Sequence, residues 1–369
     1  MKRITYLFLS GAAFAGAIFF QPFFATNAQT ISTQASKAKS AVPTPTPAAT
    51  PSPTPKPTPD DEIIKVDTEL VNLNVRVIDR NSRPVNDVKQ SEFKVYEDGV
   101  LQQIDYFSRS EVPTNYALVI DNSGSLRSQL EKVIEAGKIL VNTNGPMDET
   151  AIIRFVGREK ISIEQPFTTN KSDLNESLDN LYIEGGQTAI IDAVYLAIEN
   201  VEEYQKAQSA TDRKRRAIIL VTDGEDRDSY YNEKQLFDLL RESEAQIYVV
   251  GFVGDLSKEG GFIGKSPQGK AKAFLERMAT ETGGKAYFPA GASELPAVAK
   301  EIASELRTQF SIGYIPSNDK RDGTFRNIRV VVDDGPNKQK RIPITRTGRT
   351  ADSEGPSSTK PGTTPTKPK

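Results

Sequence analysis

The sequence predicts an α/β protein with a doubly wound, mostly parallel sheet that carries helices on both faces, together with a small antiparallel β-sandwich-like module. Continuous apolar runs such as residues 116–120 and 217–221 are typical of strands that are buried on both faces. Stretches with helical periodicity separate these runs, and alternation of strands with helices favours a parallel sheet. Shorter strands with polar turns flank this region on both sides, and they indicate antiparallel structure.

The first strands of the predicted β module lie within residues 61–112. Apolar residues occupy every second position from 71 to 77, which predicts a strand with one buried face. Two further apolar runs, at 93–96 and from 100 to 107, are separated by Asp98-Gly99. A DG pair between two such runs is a strong signal for a β-hairpin.

The α/β domain is predicted for residues 113–307. Its strands are expected at residues 116–120, 151–155, 161–167, 217–221, 247–252 and 285–288. Its helices are expected at residues 129–142, from 171 onward, and at 189–207, 233–243, 271–282 and 293–307. Antiparallel strands return at 310–315, 325–332 and 341–344. Because three strands alone are marginally stable, we expect residues 308–347 to complete the N-terminal β module around an inserted α/β domain.

The two ends of the chain differ in composition from the folded part. Residues 1–28 begin with Lys2 and Arg3, continue with an apolar run and end in small or polar residues, which predicts a signal peptide. An uncleaved anchor is the alternative, because the run is long enough to cross a bilayer. Residues 29–60 form a Pro/Thr-rich spacer, and residues 348–369 are predicted to be a disordered tail. We therefore expect an exported protein that is periplasmic, on the cell surface or secreted, or membrane-anchored if the signal is retained.

The composition excludes several classes of chemistry. The 369 residues include no His, Cys or Trp, so Ser-His-Asp hydrolysis, thiol catalysis, His/Cys zinc sites and disulfides are excluded. A bound metal would be a hard cation held by oxygen atoms. The basic residues of both ends leave the middle of the chain acidic, which argues against a nucleic-acid partner. Residues 259–266 come close to a phosphate-binding loop, but Glu259 stands where the first glycine is required, so we expect no nucleotide.

Oxygen-bearing side chains cluster where the predicted strands end. Asp121, Ser123 and Ser125 follow the first buried strand, Asp223 follows the third, and Thr188 follows a Gly-Gly turn. Taken one at a time, these segments could equally be helix caps and ordinary turns. However, the carboxyl ends of parallel strands meet at one edge of a sheet, where ligands bind. We therefore expect the five side chains to converge on a divalent cation.

The pattern Asp121-x-Ser123-x-Ser125, with Thr188 and Asp223, resembles the metal-ion-dependent adhesion site of von Willebrand factor type A domains. The resemblance covers residues 113–307. It implies Mg²⁺ or Mn²⁺ bound directly by Ser123, Ser125 and Thr188, with Asp121 and Asp223 acting directly or through water. It further implies that a Glu or Asp of a partner protein replaces a bound water, and that the last helix, residues 293–307, slides when the metal shell changes. The flanking β segments, leader and spacer resemble those of bacterial proteins that contain a domain of this type.

The sequence thus favours a non-enzymatic, metal-ion-dependent protein-binding or adhesion module associated with the envelope or the surface. A structural scaffold in which the metal only stabilises the fold is the alternative, and a metal-dependent hydrolase is a weaker third hypothesis because no general base is evident. Glu225, Asp226 and Asp228 follow the site, where they would either repel an acidic partner or form a solvated acidic loop. Asp192 is expected to anchor a helix or a loop and not to bind the ion.

Overall fold

The computed structural model describes residues 70–109, 112–208, 214–259 and 266–353. The predicted signal peptide and Pro/Thr spacer lie outside these residues. No helix within these ranges combines the length and the apolar character that crossing a bilayer requires. The strands are β1 (Val71–Ile78), β2 (Phe93–Glu97), β3 (Val100–Gln102), β4 (Tyr106–Ser108), β5 (Thr114–Asp121), β6 (Glu149–Phe155), β7 (Ile161–Thr168), β8 (Arg215–Thr222), β9 (Gln246–Gly251), β10 (Lys285–Tyr287), β11 (Phe310–Tyr314), β12 (Phe325–Val332), β13 (Ile342–Ile344) and β14 (Gly348–Thr350). The helices are α1 (Leu130–Thr143), α2 (Lys171–Asp179), α3 (Ile190–Ala207), α4 (Glu233–Glu242), α5 (Pro267–Glu281) and α6 (Leu295–Arg307).

Six strands form the central sheet in the order β10-β9-β8-β5-β6-β7. Neighbouring strands run parallel except for the β6–β7 pair, which is antiparallel. Every residue of β5 is buried, which accounts for its unbroken apolar run. Helices α1, α2 and α6 pack on one face of the sheet, and α3, α4 and α5 pack on the other. The predicted doubly wound, mostly parallel architecture is confirmed.

Two antiparallel four-stranded sheets, ordered β13-β1-β11-β4 and β14-β12-β2-β3, form the β module. Each sheet combines strands from both ends of the chain: β1 pairs with β11 and β13 in the first sheet, and β2 pairs with β12 in the second. The core between the sheets mixes both ends, and the rings of Phe93 and Phe310 lie 5.2 Å apart. The predicted hairpin joins β2 and β3, where Asp98 and Gly99 have φ of 47° and 83°, as a two-residue hairpin turn requires.

The prediction that the tail is disordered from residue 348 is wrong for residues 348–353. Residues Gly348–Thr350 form β14, which extends the second sheet by pairing with β12. The close approach requires a glycine at 348, because a Cβ there would lie 2.4 Å from the Arg326 carbonyl oxygen. Arg349 is buried and donates from Nε to Glu97 Oε2 at 3.0 Å. The strand has no apolar alternation that could have predicted it from the sequence, and its central residue, Arg349, forms a buried ion pair. Residues 354–369 lie outside the described ranges.

Helix boundaries differ from the sequence prediction at α5. The helix begins at Pro267, four residues earlier than predicted, because Ser266 caps it by accepting from the Gly269 amide at 3.2 Å and Pro267 fits the first helical turn. Helix α6 begins at Leu295, after a short 3₁₀ turn. These shifts do not alter the order of the elements.

Candidate metal site

The first part of the site is the turn that follows β5. Asp121, the last residue of β5, has no exposed surface, and its Oδ1 accepts from the Ser123 amide at 2.9 Å. A short 3₁₀ turn over Gly124–Leu126 then reverses the chain. As a result, the Ser123 and Ser125 hydroxyl oxygens lie 2.8 Å apart. The Asp-x-Ser-x-Ser spacing thus places one carboxylate behind a pair of neighbouring hydroxyls.

The second part is the end of the adjacent strand β8. Thr222 is fully buried and donates its hydroxyl to Asp121 Oδ2 at 2.8 Å, so it joins the two strand ends. Asp223 follows and is 7% exposed, and its Oδ1 accepts from the Glu225 amide at 3.1 Å. Gly224 permits this turn because its φ is +87° and a Cβ would lie 2.8 Å from the Leu275 side chain. Both carboxylates therefore lie at the carboxyl edge of the sheet.

The third part is the segment before α3 that carries Thr188. The Thr188 carbonyl accepts from the amides of Arg227 at 2.8 Å and Asp228 at 3.1 Å. The next amide, that of Ala189, donates to the Val156 carbonyl at 2.8 Å. These bonds hold Thr188, which is 5% exposed, between the end of β6 and the loop after β8.

These three parts meet at one pocket. Four of the five predicted residues, Ser123, Ser125, Thr188 and Asp223, line a cavity of ≈ 360 Å³. Asp121 does not line it, and its two carboxylate oxygens accept hydrogen bonds from the Ser123 amide and the Thr222 hydroxyl. This arrangement suits Asp121 for a role through a water molecule or through the serines, and Asp223 for a more direct one.

The charges in the site fit a hard divalent cation. Burial raises the pKa of Asp121 to about 6, and the charge of nearby Asp223 adds to this effect. Neither carboxylate forms an ion pair with a lysine or arginine of the described residues, although buried carboxylates are costly without a compensating charge. The same part of the chain contains no group of three acidic residues that could hold a metal alone. A cation here would need hydroxyl ligands, which Ser123, Ser125 and Thr188 provide.

Two residues that hold the site in place were not predicted from the sequence. Thr222 is one of them, and the sequence signal that could have indicated it is a hydroxyl at the end of a buried strand. Asn122 donates from Nδ2 to the Tyr182 carbonyl at 2.7 Å, and its own carbonyl accepts from the Glu184 amide at 2.9 Å. Asn122 thereby holds the segment leading to Thr188 against the end of β5.

The acidic residues beyond Asp223 are not a simple solvated loop. Glu225 forms an ion pair with Arg227, and both line the pocket. Asp228 pairs with Arg158 at 2.7 Å. Much of the negative charge that would repel an acidic partner is therefore compensated by arginines of the same surface.

Two further aspartates have structural roles. Asp226 accepts from the Ile191 amide at 3.1 Å at the beginning of α3, and burial raises the pKa of its carboxyl. Asp192 accepts from the amides of Tyr230 and Tyr231 at 2.8 and 2.9 Å. The expectation that Asp192 anchors a loop is confirmed, and both residues fix the segment that follows the site.

The fold and the site define the class of protein. The family model of the von Willebrand factor type A domain matches residues 115–301, which is about half of the chain. The protein belongs to this family.

Known proteins are similar in sequence to part of this chain. Inter-alpha-trypsin inhibitor heavy chain H4 of Sus scrofa is 27% identical over 233 residues, which cover 60% of this chain and 23% of that protein. An uncharacterized protein of Synechocystis sp. is 35% identical over 115 residues, or 31% of this chain and 26% of the relative. The chain thus spans about a quarter of the length of these curated relatives.

Several solved structures are also similar to part of this chain. An aerotolerance-related membrane protein from Bacteroides fragilis is 22% identical, and the match covers 52% of this chain and 98% of that one, with a TM-score of 0.40. A von Willebrand factor type A protein from Catenulispora acidiphila is 11% identical, with coverage of 77% and 75% and a TM-score of 0.41.

Proposed function

We propose that this protein is an exported, non-enzymatic binding module that holds Mg²⁺ or Mn²⁺ at the pocket and uses it to capture an acidic residue of a partner protein. The observation that supports this proposal is the pairing of two buried carboxylates, without a basic partner among the described residues, with three hydroxyls at one sheet edge. The predicted leader and spacer support export and presentation at an envelope or outer surface.

We assign each residue of the site a role in binding the ion. Ser123, Ser125 and Thr188 would bind the ion, and Asp223 would bind it directly or through water. Asp121 is held by Ser123 and Thr222, so it would balance charge and orient the serines. When bound, the cation offers an exchangeable coordination position to a carboxylate. Because hydroxyl ligands are neutral, two carboxylates only balance the ion's charge, and an incoming carboxylate is still attracted.

We propose no catalytic role for the site. The chain has no His or Cys, Asp121 does not line the pocket, Glu225 is paired with Arg227, and Asp223 is assigned to the ion. A hydrolase would require a base with free access to a substrate or water. Turnover of phosphoesters or peptides that depends on Mg²⁺ would contradict this part of the proposal.

The decisive experiment is partner capture from an envelope extract of the source organism, with immobilised protein, with and without a chelator. The intact protein should retain a partner only when loaded with metal, and Asp121→Ala should retain none. Asp179→Ala is the matched control, because this aspartate is exposed on α2 and pairs with Lys138, so its loss should change nothing. Thermal unfolding of each variant verifies that it is folded.

A scaffold function predicts a different outcome. If the metal only stabilised the fold, folded Asp121→Ala and chelated protein would still retain the partner, and binding would have to involve another surface such as the β module. Calorimetric titration with Mg²⁺ separates metal binding from partner binding, because it measures the affinity for the ion in the absence of the partner. Intact protein that binds neither Mg²⁺ nor Mn²⁺ would overturn both functions.

A further inference from the structure

One basic side chain lines the pocket among the described residues, that of Arg227. It lies with three acidic side chains, those of Asp223, Glu225 and Asp255. The Arg227 side chain is 60% exposed and the Glu225 side chain 23%, and the two form an ion pair. Most of the Arg227 side chain is therefore accessible to an incoming group.

The backbone of Arg227 is fixed relative to the ion-binding residues. Its amide donates to the Thr188 carbonyl at 2.8 Å, so the side chain begins next to one of the proposed ligands. Its NH2 atom binds Glu225 Oε2, which leaves other donors of the planar guanidinium fork available. A guanidinium in this position can bind a second carboxylate with charge-assisted hydrogen bonds.

The charges around the proposed ion indicate a role for the ion pair of Arg227 with Glu225. Asp121 and Asp223 together would neutralise a divalent cation, and Glu225 neutralises Arg227. A partner carboxylate brings one more negative charge, and in the described pocket lining the only basic group that can meet it is the guanidinium already bound to Glu225. Glu225 and the partner would then share one arginine, and the negative charge of Glu225 offsets the positive charge that attracts the partner.

We propose that Arg227 is a specificity-determining residue that binds the partner's carboxylate beside the metal, and that Glu225 weakens this binding because its negative charge offsets that of the guanidinium. The inference rests on the proposed function and adds to it a second contact for the acidic residue. It selects for a carboxylate over an amide of the same shape, because only the carboxylate gains from the positive charge.

The structure offers a matched control in Arg158. This arginine pairs with Asp228 at 2.7 Å on the neighbouring surface, and its side chain is 50% exposed. It does not line the pocket. Arg158→Gln thus removes the same charge from the same region without touching the proposed contact.

The test uses the full chain loaded with Mn²⁺ and two capped tripeptides, acetyl-Gly-Glu-Gly-amide and acetyl-Gly-Gln-Gly-amide. Binding is followed through water proton relaxation, which falls when a carboxylate replaces a water on the ion. Arg227→Gln should weaken binding of the Glu peptide about tenfold, the scale of one charge-assisted hydrogen bond. Glu225→Gln should strengthen it about threefold, Arg158→Gln should leave it unchanged, and all three variants should bind Mn²⁺ as the intact protein does.

The outcomes separate the inference from the function beneath it. If Arg227→Gln binds the Glu peptide as tightly as the intact protein does, and only with metal, the role of Arg227 is overturned. The metal-dependent site itself is then still supported. Loss of Mn²⁺ affinity in Glu225→Gln shows that Glu225 is a metal ligand and also overturns the proposal. Failure of the Mn²⁺-loaded intact protein to distinguish the Glu from the Gln peptide overturns the capture of carboxylates itself.

Discussion

The state of Asp121 depends on its immediate neighbours. Burial raises the pKa of its carboxyl to about 6, whereas hydrogen bonds from Ser123 and Thr222 favour the charged form. Thr222 belongs to the next strand, so it also fixes the distance between the two strand ends. A buried carboxylate with both oxygens bonded cannot rotate away from the pocket, which keeps the charge where a cation would need it.

Replacing Thr222 with valine tests this role. The change keeps the side-chain shape but removes the hydroxyl that donates to Asp121. We expect the site to lose about 1 kcal/mol of Mg²⁺ binding, a roughly fivefold increase in the dissociation constant. Calorimetric titration with Mg²⁺ measures it.

Thr150→Val provides the control, since Thr150 is also fully buried but accepts from Asn144 at the start of β6. It should lower the free energy of unfolding while leaving Mg²⁺ affinity intact. If Thr222→Val bound Mg²⁺ as tightly as the native protein, the hydroxyl would have no part in holding Asp121.

One short strand of this protein, β14, makes buried polar contacts with other strands. Strand β14 has three residues, and Arg349 at its centre reaches Glu97 of β2, which also accepts from the Tyr314 hydroxyl of β11 at 2.6 Å. Glu97 is 3% exposed and Arg349 4%. The network links the two sheets across their core, so a strand with little apolar surface still contributes to the stability of the β module.

Arg349→Met should therefore lower the free energy of unfolding by about 3 kcal/mol, because it leaves Glu97 buried without its positive partner. The double variant Glu97→Gln with Arg349→Met should recover part of the loss. Denaturant unfolding measures both.

Arg329→Met is the control for this experiment. Arg329 lies on the neighbouring strand β12, where it is exposed and stacks on the Tyr96 ring. Its replacement should cost less than about 1 kcal/mol. If Arg329→Met and Arg349→Met lowered the free energy of unfolding equally, leaving Glu97 without its buried partner would carry no extra cost.

At the scale of the molecule, the α/β domain and the β module are joined through α6. This helix ends at Arg307, and β11 begins at Phe310. Glu305 of α6 forms a buried ion pair with Arg76 of β1, and Arg215 donates to the Leu306 and Gln309 carbonyls at 2.9 and 2.8 Å. Any sliding of α6, which remains an expectation from the family, would have to carry these contacts with it.

Arg76→Met tests the junction through its dependence on pH. Burial raises the pKa of Glu305 above its usual value, while Arg76 and Lys285 oppose the shift. Without Arg76 the pKa should rise further. A carboxyl whose pKa is raised by folding costs stability as the pH rises from its pKa in the unfolded chain to its higher pKa in the folded protein, because its charged form is disfavoured in the folded state.

The variant should consequently lose about 3 kcal/mol of unfolding free energy at pH 8. The loss should be distinctly smaller near pH 4.5, the ordinary pKa of a glutamate, because the raised pKa keeps the Glu305 carboxyl protonated in the folded state there. Urea unfolding at the two pH values measures the difference. Arg83→Met, which breaks a pair whose arginine side chain is 73% exposed, should change stability by less than about 1 kcal/mol. A loss of the same size at both pH values for Arg76→Met would contradict the role assigned to Glu305.

The sequence by itself determined the fold class and the five candidate ligands. Apolar periodicity is a local property, and residues such as Asp121 and Asp223 follow directly from the strands that end before them. The rule that parallel strands meet at one edge then predicted that these residues would lie close together.

Only the tertiary structure decided which of these residues line the pocket and which other side chains act on them. The bond from Thr222 to Asp121 joins residues 101 positions apart, and that from Arg349 to Glu97 joins residues 252 apart. No local pattern encodes such contacts, because they depend on how strands from distant parts of the chain pair and pack. The ion pair of Glu225 with Arg227 is close in sequence, yet its place on the pocket wall likewise follows from the way the loop wraps around Thr188.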